Sequence, residues 1–317
     1  MKKRSWFLIL IPIAVMIGYL SFTLNNGPKL DAITIDLNEK VNVPQSQQDI
    51  YIPDVETSEN SLRIAISGIL SPSKALEYYQ ELLTYVGQKL NKEIKLILRP
   101  TYAEINDLVE NQLVDLAFVC TLAYVEGREK FGMEILAAPE MYGETVYYSY
   151  LIVPSESIAT SINDLKNTRF AFTDPMSNTG HLAPVYNLSL IGETPILFFD
   201  NYIFTYNHDV SVFTVANNLV DGAAVDSLVY DQLIENNPNL ADNTKIIEIW
   251  GPYGIPPVVV NPAMDSQLKR ELQELFLSIH RTTEGVSLLN DLDIDKFVLV
   301  PDDIYDSIRQ MRQQLGE

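Results

Sequence analysis

Between residues 62 and 315, short apolar runs alternate with segments whose apolar residues recur every three or four positions. No other feature restricts the fold as much. Residues 62–67, 94–98, 114–119, 135–138 and 147–153 read as strands, and so do 169–172, 222–225, 245–250 and 258–260. Between them, Leu76, Tyr79, Leu83, Val86 and Leu90 mark one face of a helix that Pro72 can open. Thr101 and Glu104 have the spacing of a capping box, so a second helix starts at Tyr102. Further helices are expected over residues 124–131, 161–166, 181–190, 208–219, 229–235, 266–281 and 304–315. Strands alternating with helices predict an α/β fold of parallel sheets with helices on both faces. The pattern restarts after Pro154, which predicts two lobes: residues 62–153, then 154–250, with 251–317 returning to the first. Two chain crossings, near 153–155 and 251–257, would form a hinge, and a cleft between two such lobes is a natural ligand site.

Composition removes several classes of function. The chain carries 42 acidic and 22 basic side chains, a net charge of −20, which repels nucleic acid and anionic lipid. Cys120 is the sole cysteine, so there is no internal disulfide and no cysteine–histidine zinc cluster. His181, His208 and His280 are far apart in sequence. There is no metal-ligand spacing, P-loop or Gly-x-Ser-x-Gly elbow, and no cofactor is expected. A paired acid and base, or a nucleophile with its activator, is also lacking, so the expectation is binding and not catalysis.

Lys2, Lys3 and Arg4 precede a nearly wholly apolar run, residues 6–22. This reads as an uncleaved signal-anchor, or alternatively a cleaved signal peptide, over residues 1–24. No cysteine stands there to receive a lipid. Residues 25–61 read as a polar linker, with one alternating piece at 33–37 that fits a strand. The folded body is therefore expected outside the cytoplasm, tethered through its N-terminal segment to the membrane.

Residues 174–184 read Asp-Pro-Met-Ser-Asn-Thr-Gly-His-Leu-Ala-Pro, after an apolar strand and before a helix. Ser177, Asn178, Thr179 and Gly180 can either cap that helix or direct N–H groups and hydroxyls at an anion.

Taken in order, several stretches together resemble the periplasmic phosphate, phosphite and phosphonate-binding proteins of ABC importers. They are Ser71-Pro72, Tyr102-Ala103, the Asp-Leu-Ala-Phe-Val that begins at Asp115, residues 147–153, and the Asp-Pro-x-Ser-x-x-Gly that begins at Asp174. Further on come His208 opening a helix, residues 221–227, Pro252-Tyr-Gly-Ile-Pro-Pro257 and Tyr305. The resemblance implies a two-lobed Venus flytrap of the type with two crossing strands. It also implies a small phosphorus oxyanion held between the lobes and delivered to an ABC permease. An oxyanion-sensing module that signals to a membrane histidine kinase is the alternative. The matching ligand positions are Tyr102, Tyr147, Ser177, Asn178, Thr179, His208 and Asp226. The family usually has a small hydroxyl residue where Asn178 stands, and Asn brings both a donor and an acceptor. His208 would offer the ligand a neutral N–H, or be a solvated helix-start histidine. Asp226 would accept a proton shared with the ligand or an ammonium group, or be a carboxylate satisfied by backbone N–H groups. His181 is not a matching position. Cys120 reads as a packing residue, with a thiophilic oxyanion such as arsenite as its functional alternative.

Overall fold

The computed structural model describes residues 33–36 and 60–316. The expected signal-anchor and nearly all of the expected linker lie outside them. No helix among the described residues is long and apolar enough to cross a membrane.

The strands form two sheets. The first contains β1 (Ile33–Asp36), β2 (Ser61–Ile66), β3 (Glu93–Leu98), β4 (Leu116–Phe118) and β5 (Glu134–Glu140). The second contains β6 (Val146–Pro154), β7 (Arg169–Phe172), β8 (Asn201–Phe204), β9 (Gly222–Asp226) and β10 (Thr244–Gly254). The chain then returns to the first sheet as β11 (Val258–Val260) and β12 (Lys296–Val298). The spatial orders are β1-β3-β2-β4-β11-β5-β12 and β10-β6-β9-β7-β8. The alternating piece in the linker is indeed a strand, antiparallel to β3.

Each sheet is parallel over only three of its strands. β2 pairs in parallel with β3 and β4, and β7 with β8 and β9. β11 lies antiparallel between β4 and β5, and β6 lies antiparallel between β9 and β10. Wholly parallel sheets were the expectation. The two crossings account for β6 and β11, because a strand arriving from the other lobe enters with reversed direction, and β1 and β12 add antiparallel edges to the first sheet. The sequence pattern groups β6 with the first lobe, yet it pairs wholly within the second sheet. The first crossing therefore precedes Val146 instead of following Val153, and the second lies between Gly254 and Val258.

Helices cover both faces, as the alternation along each central strand requires. In the first lobe Ile64 and Leu96 share a core with Leu82 and Val86 of α1 (Pro72–Leu90). Their neighbours Ala65 and Ile97 turn the other way, toward Ile105 of α2 (Tyr102–Glu110) and Val125 of α3 (Thr121–Phe131). In the second lobe Phe170 and Phe172 pack with Leu188 of α4 (Ala183–Leu190). Ala171 and Val225 pack with Val212 of α5 (His208–Ala216) and Val229 of α6 (Ser227–Asn236). The C-terminal helices α7 (Ser266–Phe276) and α8 (Thr283–Asn290) pack on the first lobe, where Phe276 joins the core, while α9 (Asp306–Leu315) lies against both α3 and α4. The periodicity does not announce α8. Thr282 caps it, and Gly285 lowers its propensity but is needed there, since a Cβ would collide with the Ile279 carbonyl.

The lobes share one device. Arg63 at the start of β2 holds Asp115 by its backbone N–H and guanidinium, and Arg169 at the start of β7 holds Asp221 in the same way. Both pairs are 52 residues apart in sequence. Each ties the second strand of a sheet, in chain order, to the start of its fourth.

Candidate ligand-binding site

The strand–turn–helix at Asp174 is the site's frame. After β7 the chain makes a π-helical turn, Asn178–Leu182, before entering α4. Ser177 caps this turn, accepting from Gly180 N–H at 3.0 Å. Ser149 of β6 donates to the Thr179 carbonyl at 2.6 Å, so the second sheet fixes the turn from beneath. Gly180 is required here. A Cβ on it would lie 2.5 Å from Thr173 Cβ and 3.0 Å from His208 Cε1, and would also collide with the Thr173 hydroxyl.

From the first lobe, the capping box of Thr101 and Glu104 starts α2 as expected. That places Tyr102 against the turn, and its backbone N–H donates to Asp174 Oδ2 at 3.2 Å. Asp174 also accepts from Met176 N–H at 2.8 Å, so one buried carboxylate joins α2 to the loop. Cys120 caps α3, and its Sγ accepts from Asn178 N–H at 3.4 Å. Burial pushes this thiol up, so it is a neutral packing group in contact with the turn. Thr121 Oγ1 lies 2.7 Å from the Tyr147 hydroxyl, and Asn178 Nδ2 donates to the same hydroxyl at 3.2 Å.

Thus Tyr102, Tyr147, Ser177, Asn178 and Thr179 come together where the lobes meet, and all are fully buried. Three polar atoms of this group have no partner: Tyr102 OH, Asn178 Oδ1 and Thr179 Oγ1. Leaving a buried polar group unpaired costs about 1–3 kcal/mol, so three in one place point to a missing partner. Burial also holds the Tyr102 and Tyr147 phenols far above their ordinary range, so both keep their protons as donors. Ser67 Oγ, just past the end of β2, is also unpartnered; neither it nor Asp174 is among the expected ligand positions.

His208 has a different part from the expected one. The Asp226 N–H donates to its Nδ1 at 3.0 Å, so that nitrogen carries no hydrogen. Burial lowers the ring to about 3, which keeps it neutral, with its proton on Nε2. Nε2 lies 3.4 Å from Ser177 Oγ, which therefore accepts from both Gly180 and His208. The Ser177 proton is left for a third partner. His208 thus acts through Ser177, without a free N–H of its own.

Asp226 caps α6, its Oδ1 accepting from Leu228 N–H at 2.8 Å and Val229 N–H at 3.4 Å. Burial outweighs these bonds and pushes the carboxyl up to about 7. The backbone-satisfied reading therefore describes Oδ1, while the raised pKa marks a group ready to hold a proton. His181 Nδ1 is 2.9 Å from the Pro175 carbonyl, outside this cluster. Among the described residues no lysine or arginine is buried, and no three histidine, cysteine, aspartate or glutamate side chains gather as a metal set.

A separate clasp closes the lobes. Asp209, in the first turn of α5, accepts from Ser71 N–H at 2.9 Å and from Ser71 Oγ at 2.5 Å. Asn207 donates to the Gly68 carbonyl at 2.9 Å, and His208 N–H donates to the Ile69 carbonyl at 3.0 Å. Hydrogen bonds to a charged group contribute about 1.5–3 kcal/mol each. Asp209→Ala should therefore shift the ligand-free protein toward an open form, seen as a larger radius of gyration by small-angle scattering. An unchanged radius would remove the clasp from the account.

Comparison with known proteins gives the chain a family. The family described as ABC transporter, phosphonate, periplasmic substrate-binding protein matches residues 64–305. The phosphonates-binding periplasmic protein of Escherichia coli K12 is 25% identical over 244 residues, covering 75% of this chain and 71% of that protein. The probable ABC transporter phosphite binding protein of Prochlorococcus marinus is 22% identical over 243 residues, covering 73% and 82%. A solved structure of a binding protein component of an ABC phosphonate transporter from Pseudomonas aeruginosa superposes with a TM-score of 0.77 at 25% identity. It covers 81% of this chain and 86% of that one. The chain belongs to the phosphonate periplasmic substrate-binding proteins of ABC transporters, a family that binds its ligand and does not transform it.

Proposed function

We propose that this protein captures a small phosphorus oxyanion outside the cytoplasm and hands it to an ABC importer. The observation that carries this reading is the set of three buried, unpartnered polar atoms on Tyr102, Asn178 and Thr179. Tyr102 OH, Thr179 Oγ1 and the spare Ser177 proton are donors from both lobes. They can hold the oxygens of one phosphonate group only when the lobes are together. Ligand then favours the closed form by its differential contacts, and the permease reads that form. Turning the Asn178 amide over lets Oδ1 accept from Tyr147 and offers Nδ2 to the ligand, the orientation an anion selects. The family match names transport, not sensing, and the Prochlorococcus relative's name refers to phosphite.

All these donors are neutral, so attraction is local and works against a net charge of −20. A carboxyl raised to about 7 beside the oxyanion favours ligands that share a proton and disfavours sulfate. Calorimetry with methylphosphonate, phosphite, phosphate, 2-aminoethylphosphonate and sulfate is the test. One-to-one binding of the phosphorus oxyanions, with sulfate at least tenfold weaker, is expected; no binding by any of them would refute the reading.

The sign of the pH dependence follows from Asp226. Below pH 7 its carboxyl is mostly protonated in the folded protein; above pH 7 it is ionised and repels the ligand. Affinity should therefore fall as pH rises past 7, and binding at pH 8 should take up about one proton at this group. Calorimetry at pH 8 in two buffers of different ionisation enthalpy measures that uptake. Asp226→Asn should remove most of it and weaken discrimination against sulfate. Equal uptake by parent and variant would assign the proton elsewhere.

A further inference from the structure

The oxyanion cluster does not fill the space between the lobes. A cavity of about 100 Å³ lies beside it. Tyr79, Phe118, Met141 and Phe297 of the first lobe line it, facing Leu228 and Gln232 of α6 in the second. Two observations place it next to the oxyanion cluster. Asp226 lines the cavity with its own residue while its N–H holds His208. Val119 lines it too, and its chain neighbour Cys120 touches the turn through Asn178.

We infer that this cavity receives the organic substituent of the phosphonate, and that the substituent is an uncharged hydrocarbon group of about four carbons. The inference rests on the phosphonate reading above and narrows it. Size sets the carbon count: a cavity of roughly 150 Å³ holds the six carbons of benzene, so about 100 Å³ suits roughly four. Chemistry sets the polarity. The walls are chiefly aliphatic and aromatic, and no lysine or arginine lines them. The one carboxylate there accepts two backbone N–H groups on Oδ1, and on the phosphonate reading above its other oxygen is given to a proton shared with the oxyanion. An ammonium group would therefore lose water without gaining a free anion. Methylphosphonate and phosphite would leave the cavity unused.

Each buried methylene is worth about fourfold in affinity. Three more of them, from methyl- to butylphosphonate, give up to about sixtyfold. The test is calorimetry on the full folded chain with methyl-, butyl- and 2-aminoethylphosphonate, repeated on Met141→Trp, which fills the cavity. Butylphosphonate at least tenfold tighter than both others is expected, with the butyl-to-methyl ratio falling toward one in Met141→Trp. Methyl- and butylphosphonate binding equally, or 2-aminoethylphosphonate binding tightest, would overturn this inference and leave the phosphonate reading standing. An unchanged ratio in Met141→Trp would overturn the placement of the chain in this cavity. Binding of none of the three would overturn both.

Discussion

Replacing Tyr102 by Phe and Thr179 by Val in one protein is expected to weaken methylphosphonate binding by about 100- to 10,000-fold while leaving the ligand-free fold at least as stable. A hydrogen bond to a charged partner contributes about 1.5–3 kcal/mol, and the double variant removes two. In the ligand-free protein Tyr102 OH and Thr179 Oγ1 are buried without partners, so deleting them removes a desolvation cost and breaks no bond. Both substitutions nearly conserve shape, and Val suits the turn's packing as Thr does. Stability and affinity therefore move in opposite directions, which separates a ligand site from two ordinary core residues. Chemical denaturation read beside calorimetry checks it. A loss of stability with affinity intact would mean that the two hydroxyls serve the fold.

The second large effect is expected at Gly180. A methyl there overlaps Thr173 and presses on His208, and overpacking of this kind costs about 1–3 kcal/mol. The damage also runs along a defined path. Thr173 Oγ1 lies 3.1 Å from His208 Nδ1, and His208 Nε2 holds Ser177, so any shift displaces the Ser177 proton from the ligand. Gly180→Ala should lower thermal stability by a few degrees and affinity by more than tenfold. His208→Gln is the companion variant. It should lower affinity through Ser177 without the steric cost. Full affinity in Gly180→Ala would show that the turn tolerates movement.

What the sequence showed and what it hid follow from range. The Thr101–Glu104 capping box and the small polar turn after β7 are local signals, and both stand where residue spacing put them. The central strands were equally legible, because residues such as Ile64 and Ala65 alternate between two cores. The sheet to which β6 belongs was not legible. Its alternation is the same in either lobe, and only pairing with β9 and β10 decides. The role of His208 was hidden for a similar reason: its tautomer is set by the Asp226 N–H, 18 residues away. The parts of Asp174 and Asp209 are not legible in the sequence because their partners Tyr102 and Ser71 lie in the other lobe. Neither the periodicity of α1 nor that of α6 reveals that their facing sides leave a cavity between them.

The most direct test of the central claim is a crystal structure of the protein with methylphosphonate. The account predicts one phosphonate group between the two sheets, with oxygens at about 2.7 Å from Tyr102 OH, Ser177 Oγ and Thr179 Oγ1. A ligand bound elsewhere, or one held while those three hydroxyls stay unpartnered, would contradict it.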